Sequence, residues 1–105
     1  MIKILALWTK PDDVEAFEAD YFGHHLRIAS SLPGLRDMVV SKAVGDGAYW
    51  RVTELVFGSM DDLVAVGATD ESRLLAEDVE RLQKEHGNRN DIVFVEVEER
   101  PASTG

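Results

Sequence analysis

The residues best suited to handling protons are His24 and His25, Tyr21 one helical turn earlier, and Glu54 in the middle of an apolar segment. Imidazole has an unperturbed pKa near ~6.5, so it gives and takes protons at neutral pH. At about 100° per residue on a helix, Val14, Phe17, Tyr21, Ile28 and Leu32 share one stripe. His25 falls within that stripe and His24 is turned to its flank. A buried imidazole needs partners for both ring nitrogens. His25 is therefore either a core histidine bonded to backbone or to Tyr21, or the acid/base of a cavity at the end of the helix. Glu54 could pair with His25 there, or could answer a cation such as Arg51 or Arg36. Trp8, Trp50 and Tyr49 could wall an aromatic pocket, although packing in a core or an interface is the other use of such rings.

Other chemistries find little support. There is no cysteine, so thiol catalysis, disulfides and thiolate metal sites are excluded, in keeping with a reducing, cytoplasmic compartment. His24 and His25 are adjacent and diverge on a helix, and His86 stands near a helix end, where a charged imidazole suits the dipole. No metal and no cofactor are expected. No glycine-rich phosphate loop and no serine-nucleophile elbow is present. A formal charge of −9, with the eleven Lys and Arg residues scattered, disfavours nucleic acid. The apolar runs are far short of the ~20 residues of a membrane span, and the first residues do not read as a signal peptide.

These side chains need elements to hold them. The 105 residues, 45% of them hydrophobic, suit one domain. A short strand over 2–8 puts Ile2, Ile4, Ala6 and Trp8 on one face, with Leu5 and Leu7 on the other. Asp12, with Glu15 as its capping-box partner, starts a helix that runs to about residue 32, where Pro33-Gly34 stops it. Strands over 35–44 and 49–57 flank the turn Gly45-Asp46-Gly47. Ser59 with Asp62 caps a short helix to about 66, a break covers 67–70, and a second helix runs over 72–86 to Gly87. A last strand spans 91–98. Residues 1–99 form the domain and 100–105 a flexible C-terminal tail.

The order is βαββαβ, an α+β ferredoxin-like arrangement of a four-stranded antiparallel sheet with helices on one face. A sheet with one wet face should alternate apolar and polar residues. Here the first and last strands are apolar on both parities, and the third carries Trp50, Val52 and Val56 as well as Leu55 and Phe57. So large an apolar face calls for a cover. A second copy of the chain, with Trp or Phe side chains among its contacts, is the expected cover.

The run Tyr21-Phe22-Gly23-His24-His25-Leu26-Arg27-Ile28-Ala29-Ser30-Ser31-Leu32-Pro33-Gly34-Leu35 resembles the signature of the EthD-like proteins, in which a Tyr-containing helix carries a His and ends in Leu-Pro-Gly-Leu. The spacing to Pro33 matches the family histidine to His25. Glu54-Leu55-Val56-Phe57-Gly58-Ser59-Met60-Asp61-Asp62-Leu63 and Leu75-Ala76-Glu77-Asp78-Val79 are similar to later parts of the same pattern. Arg27 stands where the family usually has proline. The resemblance implies a dimeric α+β barrel, whose relatives include isomerases, polyketide cyclases, cofactor-free monooxygenases and haem-degrading enzymes. It implies a homodimer binding a small apolar, aromatic or polyketide-like compound in a pocket between sheet and helices, with the family histidine at His25. The reading of the residues themselves adds His25 as acid/base and Tyr21, Glu54, Trp8 and Trp50 around the ligand. Proton transfer, isomerisation or cofactor-free oxidation is the expected chemistry. A non-catalytic ligand-binding or accessory protein is the alternative, and a haem-binding role a third reading.

Overall fold

The expected elements form in the expected order in the computed structural model, which describes residues 1–102. The last three positions of the tail read from the sequence lie outside the described residues. Strand β1 (Ile2–Thr9) is followed by α1 (Val14–Asp20), a π-helical turn (Tyr21–His25) and α2 (Leu26–Ser30). Then come β2 (Asp37–Lys42), β3 (Tyr49–Phe57), α3 (Met60–Gly67), α4 (Asp70–His86) and β4 (Asn90–Glu96). All neighbouring strands are antiparallel, in the order β2-β3-β1-β4. The chain is an α+β ferredoxin-like domain. None of its described helices is long and apolar enough to cross a membrane.

Helix α1 begins one residue later than the sequence suggested. Asp13, not Asp12, is the cap, and its Oδ1 accepts the Ala16 N–H at 3.1 Å. The capping box with Glu15 therefore does not form. Asp12 is held by the far end of α4, where its N–H donates to the His86 carbonyl at 2.9 Å. At the other helix starts, Ser59 accepts the Asp62 N–H as expected, and Thr69 accepts that of Ser72, starting α4 two residues early.

The single long helix of the sequence reading is interrupted. In the π-helical turn the Leu26 N–H reaches back to the Tyr21 carbonyl, five residues away. Such a turn inserts one extra residue and shifts the phase of everything after it. Phe17, Tyr21 and His25 hold one buried line at four-residue spacing. Beyond them Leu26, Ala29 and Leu32 are buried, while Ile28, placed in the stripe by uniform periodicity, is only partly so. Arg27 is exposed at the second position of α2.

The sheet sorts its side chains by parity. Trp8 on β1 and Leu55 and Phe57 on β3 enter the two clusters packed under the helices. The opposite face presents Leu5, Leu7, Val52 and Val95 half-buried and Val39 and Val93 exposed. Trp50 does not join that bare face. The register between β1 and β3 slips after Trp8, from Trp8–Arg51 to Thr9–Tyr49. This bulge leaves Trp50 unpaired with β1, and its ring packs against the core on the helix side. The bare face therefore lacks the aromatic contacts expected of it.

Gly87 ends α4 with φ 64°, a left-handed conformation that a side chain disfavours by about 1–2 kcal/mol. A methyl there would also run into the Asp12 carboxylate. Gly87→Ala should lower stability by about 1–3 kcal/mol, read as a shift of the urea midpoint. An unchanged midpoint would show that the α1–α4 junction is loose.

Candidate functional site

His25 is 5% exposed and sits at the end of the π-helical turn, with its ring stacked at 5.8 Å on Tyr21 and edge-on to Trp8 at 5.4 Å. The turn matters here. It keeps His25 in line with Tyr21 while releasing the chain to bury Leu26 next to it.

The imidazole answers neither Tyr21 nor Glu54. Its Nδ1 lies 2.7 Å from Oδ2 of Asp78, a carboxylate on α4 that is itself buried. Arg81, one turn along α4, donates from Nε to the other Asp78 oxygen at 2.7 Å. The guanidinium also grips Asp20 with two nitrogens, at 2.7 and 2.9 Å, and reaches Glu85 at 2.8 Å. His86 Nε2 closes the chain on Asp20 at 2.8 Å. Burial pushes the Asp78 carboxyl up, but the hydrogen bonds from Arg81 and His25 outweigh it and hold the group below its ordinary value. Asp78 is thus an ionised, acceptor-only group, and the Nδ1 facing it must carry the proton. Burial lowers the pKa of His25, and Asp78 only partly opposes the shift. At neutral pH the ring is uncharged, with its lone pair on Nε2.

That Nε2 has no hydrogen-bond partner among the described residues, and His25 lines a cavity of about 320 Å³. The floor is the helix side of β1, β3 and β4, including Ile4, Ala6, Trp8 and Thr53, and one wall is the Leu75–Val79 side of α4. Ile92 and Phe94 on β4, 46% and 62% exposed, form the open rim. No Lys, Arg, Asp or Glu lines it. The arrangement can hold a mostly apolar molecule against an uncharged imidazole base whose far side is fixed by a carboxylate.

The other residues singled out from the sequence are placed as follows. Trp8 is fully buried and forms part of the cavity wall. Tyr21 stands behind His25 rather than on the wall, and its hydroxyl is hydrogen-bonded to Thr53. Glu54 lies on the opposite face of the sheet and accepts from Lys3 at 3.0 Å, because its parity on β3 is opposite to that of Thr53 and Leu55. Neither Arg51, which pairs with Glu18, nor Arg36 is its partner. Trp50 is away from the cavity, with the Lys42 ammonium 4.6 Å from its ring centroid. Asp78 was missed, although it lies in a stretch already matched. Its signal was an acid on the apolar stripe of α4, three residues after Leu75 and four before Leu82. Asp20, Glu85 and His86 could together face a metal ion, but Arg81 already donates to both carboxylates and fills the place of a cation.

Fold and cavity together define an α+β ferredoxin-like domain with an apolar, single-histidine pocket between sheet and helices. No family model and no curated protein matches the chain. Among solved structures it is similar to an ethyl tert-butyl ether D (EthD) family protein from Bacillus halodurans C-125. The two share 28% identity over 93% of this chain and 99% of that one, with a TM-score of 0.84. The chain thus resembles an EthD family protein, as its motifs suggested. The same fold recurs in a dimeric ferredoxin-like protein of unknown function from Thermobifida fusca YX (12% identity, 91% and 90% covered, TM-score 0.65). It recurs again in SnoaB, a cofactor-independent oxygenase from Streptomyces nogalater (11% identity, 94% of each chain, TM-score 0.65).

The ionic chain makes a testable demand on stability. Asp20 and Asp78 are held below the ordinary carboxylate value, Asp20 chiefly by its hydrogen bonds from Arg81. Their contribution is complete above ~3.9 and is lost as pH falls below it. His25, also shifted down, contributes above ~6.5 and loses its share on acidification. Arg81→Met strands two carboxylates and should cost about 3 kcal/mol at neutral pH. It should also flatten the loss of stability below pH ~4. Urea titrations at several pH values measure both, and a parallel pH profile in the variant would remove Arg81 from this role.

Proposed function

We propose that the chain binds a small, uncharged, largely apolar compound carrying oxygen, of aromatic or polyketide-like type, and that His25 removes or returns a proton on it. The observation carrying this reading is the buried His25–Asp78 pair at 2.7 Å, with the second ring nitrogen free beside an apolar cavity. Asp78 fixes the tautomer and steadies the imidazolium that forms on proton transfer, so Nε2 is the working atom. Taking a proton from a carbon next to a carbonyl, or from a phenol, opens isomerisation. It also yields the anionic form of an aromatic compound that can meet dioxygen without a cofactor, and the likeness in fold to SnoaB is in keeping with that. Trp8 is a wall of this site and Tyr21 backs the imidazole. Glu54 and Trp50, expected around the ligand from the residues themselves, do not line this cavity and are given no role in it.

The bare face of the sheet supports a homodimer. Its half-buried and exposed leucines and valines form the kind of apolar patch that a second copy covers, and the Thermobifida fusca relative in fold is dimeric. Light scattering at micromolar concentration should give the mass of two chains. A mass of one chain sinks this assignment.

The catalytic reading is tested once a screen of small aromatic and polyketide-like compounds yields a ligand. His25→Ala should lower turnover by about 10²–10⁴-fold and change affinity far less. On the acid side, activity should hold to below the usual imidazole value of ~6.5, since the His25 pKa is shifted down. Asp78→Asn removes an interaction that raises that pKa, so the acid limb should move to still lower pH while the plateau drops. A tight ligand with no turnover to lose would favour the accessory-binder reading.

A further inference from the structure

The floor of the cavity holds a second polar group whose hydrogen bonding can be settled by counting donors. Thr53 is 3% exposed and hydrogen-bonded to Tyr21, and either hydroxyl could be the donor. Tyr21 is fully buried and absent from the cavity wall, and Thr53 is its only hydrogen-bond partner among the described residues. Burial raises the pKa of Tyr21, so the phenol keeps its proton at neutral pH. If Thr53 were the donor, that proton would be left without an acceptor in an apolar interior, at the full cost of an unmade hydrogen bond. Tyr21 therefore donates and Thr53 Oγ1 accepts. A threonine hydroxyl offers one proton and two lone pairs. The Thr53 proton has no acceptor among the described residues, while Thr53 lines the cavity. Next to it in the row across the sheet stands Ala6, then Ile92. The small side chain of Ala6 leaves room for a ligand atom to approach the hydroxyl.

Resting on the pocket reading above, we infer that the Thr53 hydroxyl, backed by the Tyr21 phenol, donates a hydrogen bond to a ketone or phenolic oxygen of the bound compound. The site then has two poles, an acceptor at His25 Nε2 and a donor at Thr53 Oγ1. In a proton abstraction, the C–H bond next to a carbonyl breaks and the proton passes to His25 Nε2. The electron pair of that bond moves into a carbon–carbon double bond, and the carbonyl pair moves onto oxygen as an enolate, which Thr53 faces. Returning the proton to the same carbon, or to the γ-carbon where a neighbouring double bond extends the enolate, restores the ketone and the neutral imidazole. A donor aimed at developing negative charge strengthens as the charge grows, and accepting from Tyr21 makes the Thr53 proton a better donor. The substrate class is an enolisable ketone or a phenol. A carboxylate is disfavoured because no cation lines the cavity to meet it.

The test compares β-tetralone with tetralin, which has the same carbon skeleton and no carbonyl, by calorimetric titration of the full chain. The ratio of their dissociation constants cancels the apolar contribution. In Tyr21→Phe/Thr53→Val, which removes both hydroxyls and leaves no stranded partner, the preference for the ketone should fall about three- to tenfold relative to wild type. Thr53→Ser should preserve it. An unchanged ratio in the double variant overturns the proposal. So does a ratio that collapses only in Trp8→Phe, because the Trp8 Nε1–H is buried without a partner and would then be the donor. Should neither compound bind wild type, the pocket reading itself falls and this one with it. Binding of both with no loss of preference overturns Thr53 alone. Should the double variant not fold, the infrared carbonyl band of β-tetralone bound to wild type decides. A shift to lower wavenumber than in alkane that persists in Trp8→Phe supports the proposal, and a band unshifted in either protein overturns it.

Discussion

The buried carboxylate of Asp78 is the constraint around which the helical layer is arranged. An ion in that position is tolerable only if both oxygens are answered by donors of fixed geometry. One donor, Arg81, comes from the same helix, and the other, His25, comes from the turn between α1 and α2. The pair thereby docks α4 against the first helical segment as well as orienting the imidazole. Arg81 extends the tie to Asp20 at the end of α1, and His86 repeats it from the last turn of α4. The same contacts that assemble this layer also decide which nitrogen of His25 is engaged and which is left without a partner among the described residues.

Much of the architecture was legible because it follows from local rules. The order of elements, the ends of β3 and the Ser59 cap all follow from parity, turn residues and capping chemistry. The direction of His25 was also readable, since it lies only four residues beyond Tyr21 and precedes the phase shift. What failed at Ile28 and at Trp50 depended on an inserted residue. The π-helical turn exchanged Ile28 for Leu26 and Ala29 in the core, and the bulge after Trp8 carried Trp50 to the helix side. Neither irregularity leaves a mark in hydrophobic periodicity, which assumes a constant angle per residue.

Glu54 and Asp78 show how the site itself was half visible. Both are acids among apolar neighbours within stretches that match the family, and the sequence pointed to the one in the middle of a strand. Strand parity groups Glu54 with Val52 and Val56 but does not say which group meets the helices, and the helices took the other. Asp78 had the stronger physical warrant, since a charge on the apolar stripe of a helix must find a partner across the interface. Its partner could be named only after α4 and the first helical segment had been brought side by side.

The rim of the cavity places little limit on how fast it can exchange its contents. The opening runs past Ile92 and Phe94 at the edge strand β4, and none of the described helices closes over these exposed side chains. Rotamer changes of exposed side chains take picoseconds to nanoseconds, whereas hinged segments move in microseconds or longer. Any molecule using this doorway meets a gate of two side chains rather than a lid. Residence time is then governed by what the interior offers, namely apolar area and a few polar contacts, and not by the clock of a conformational change.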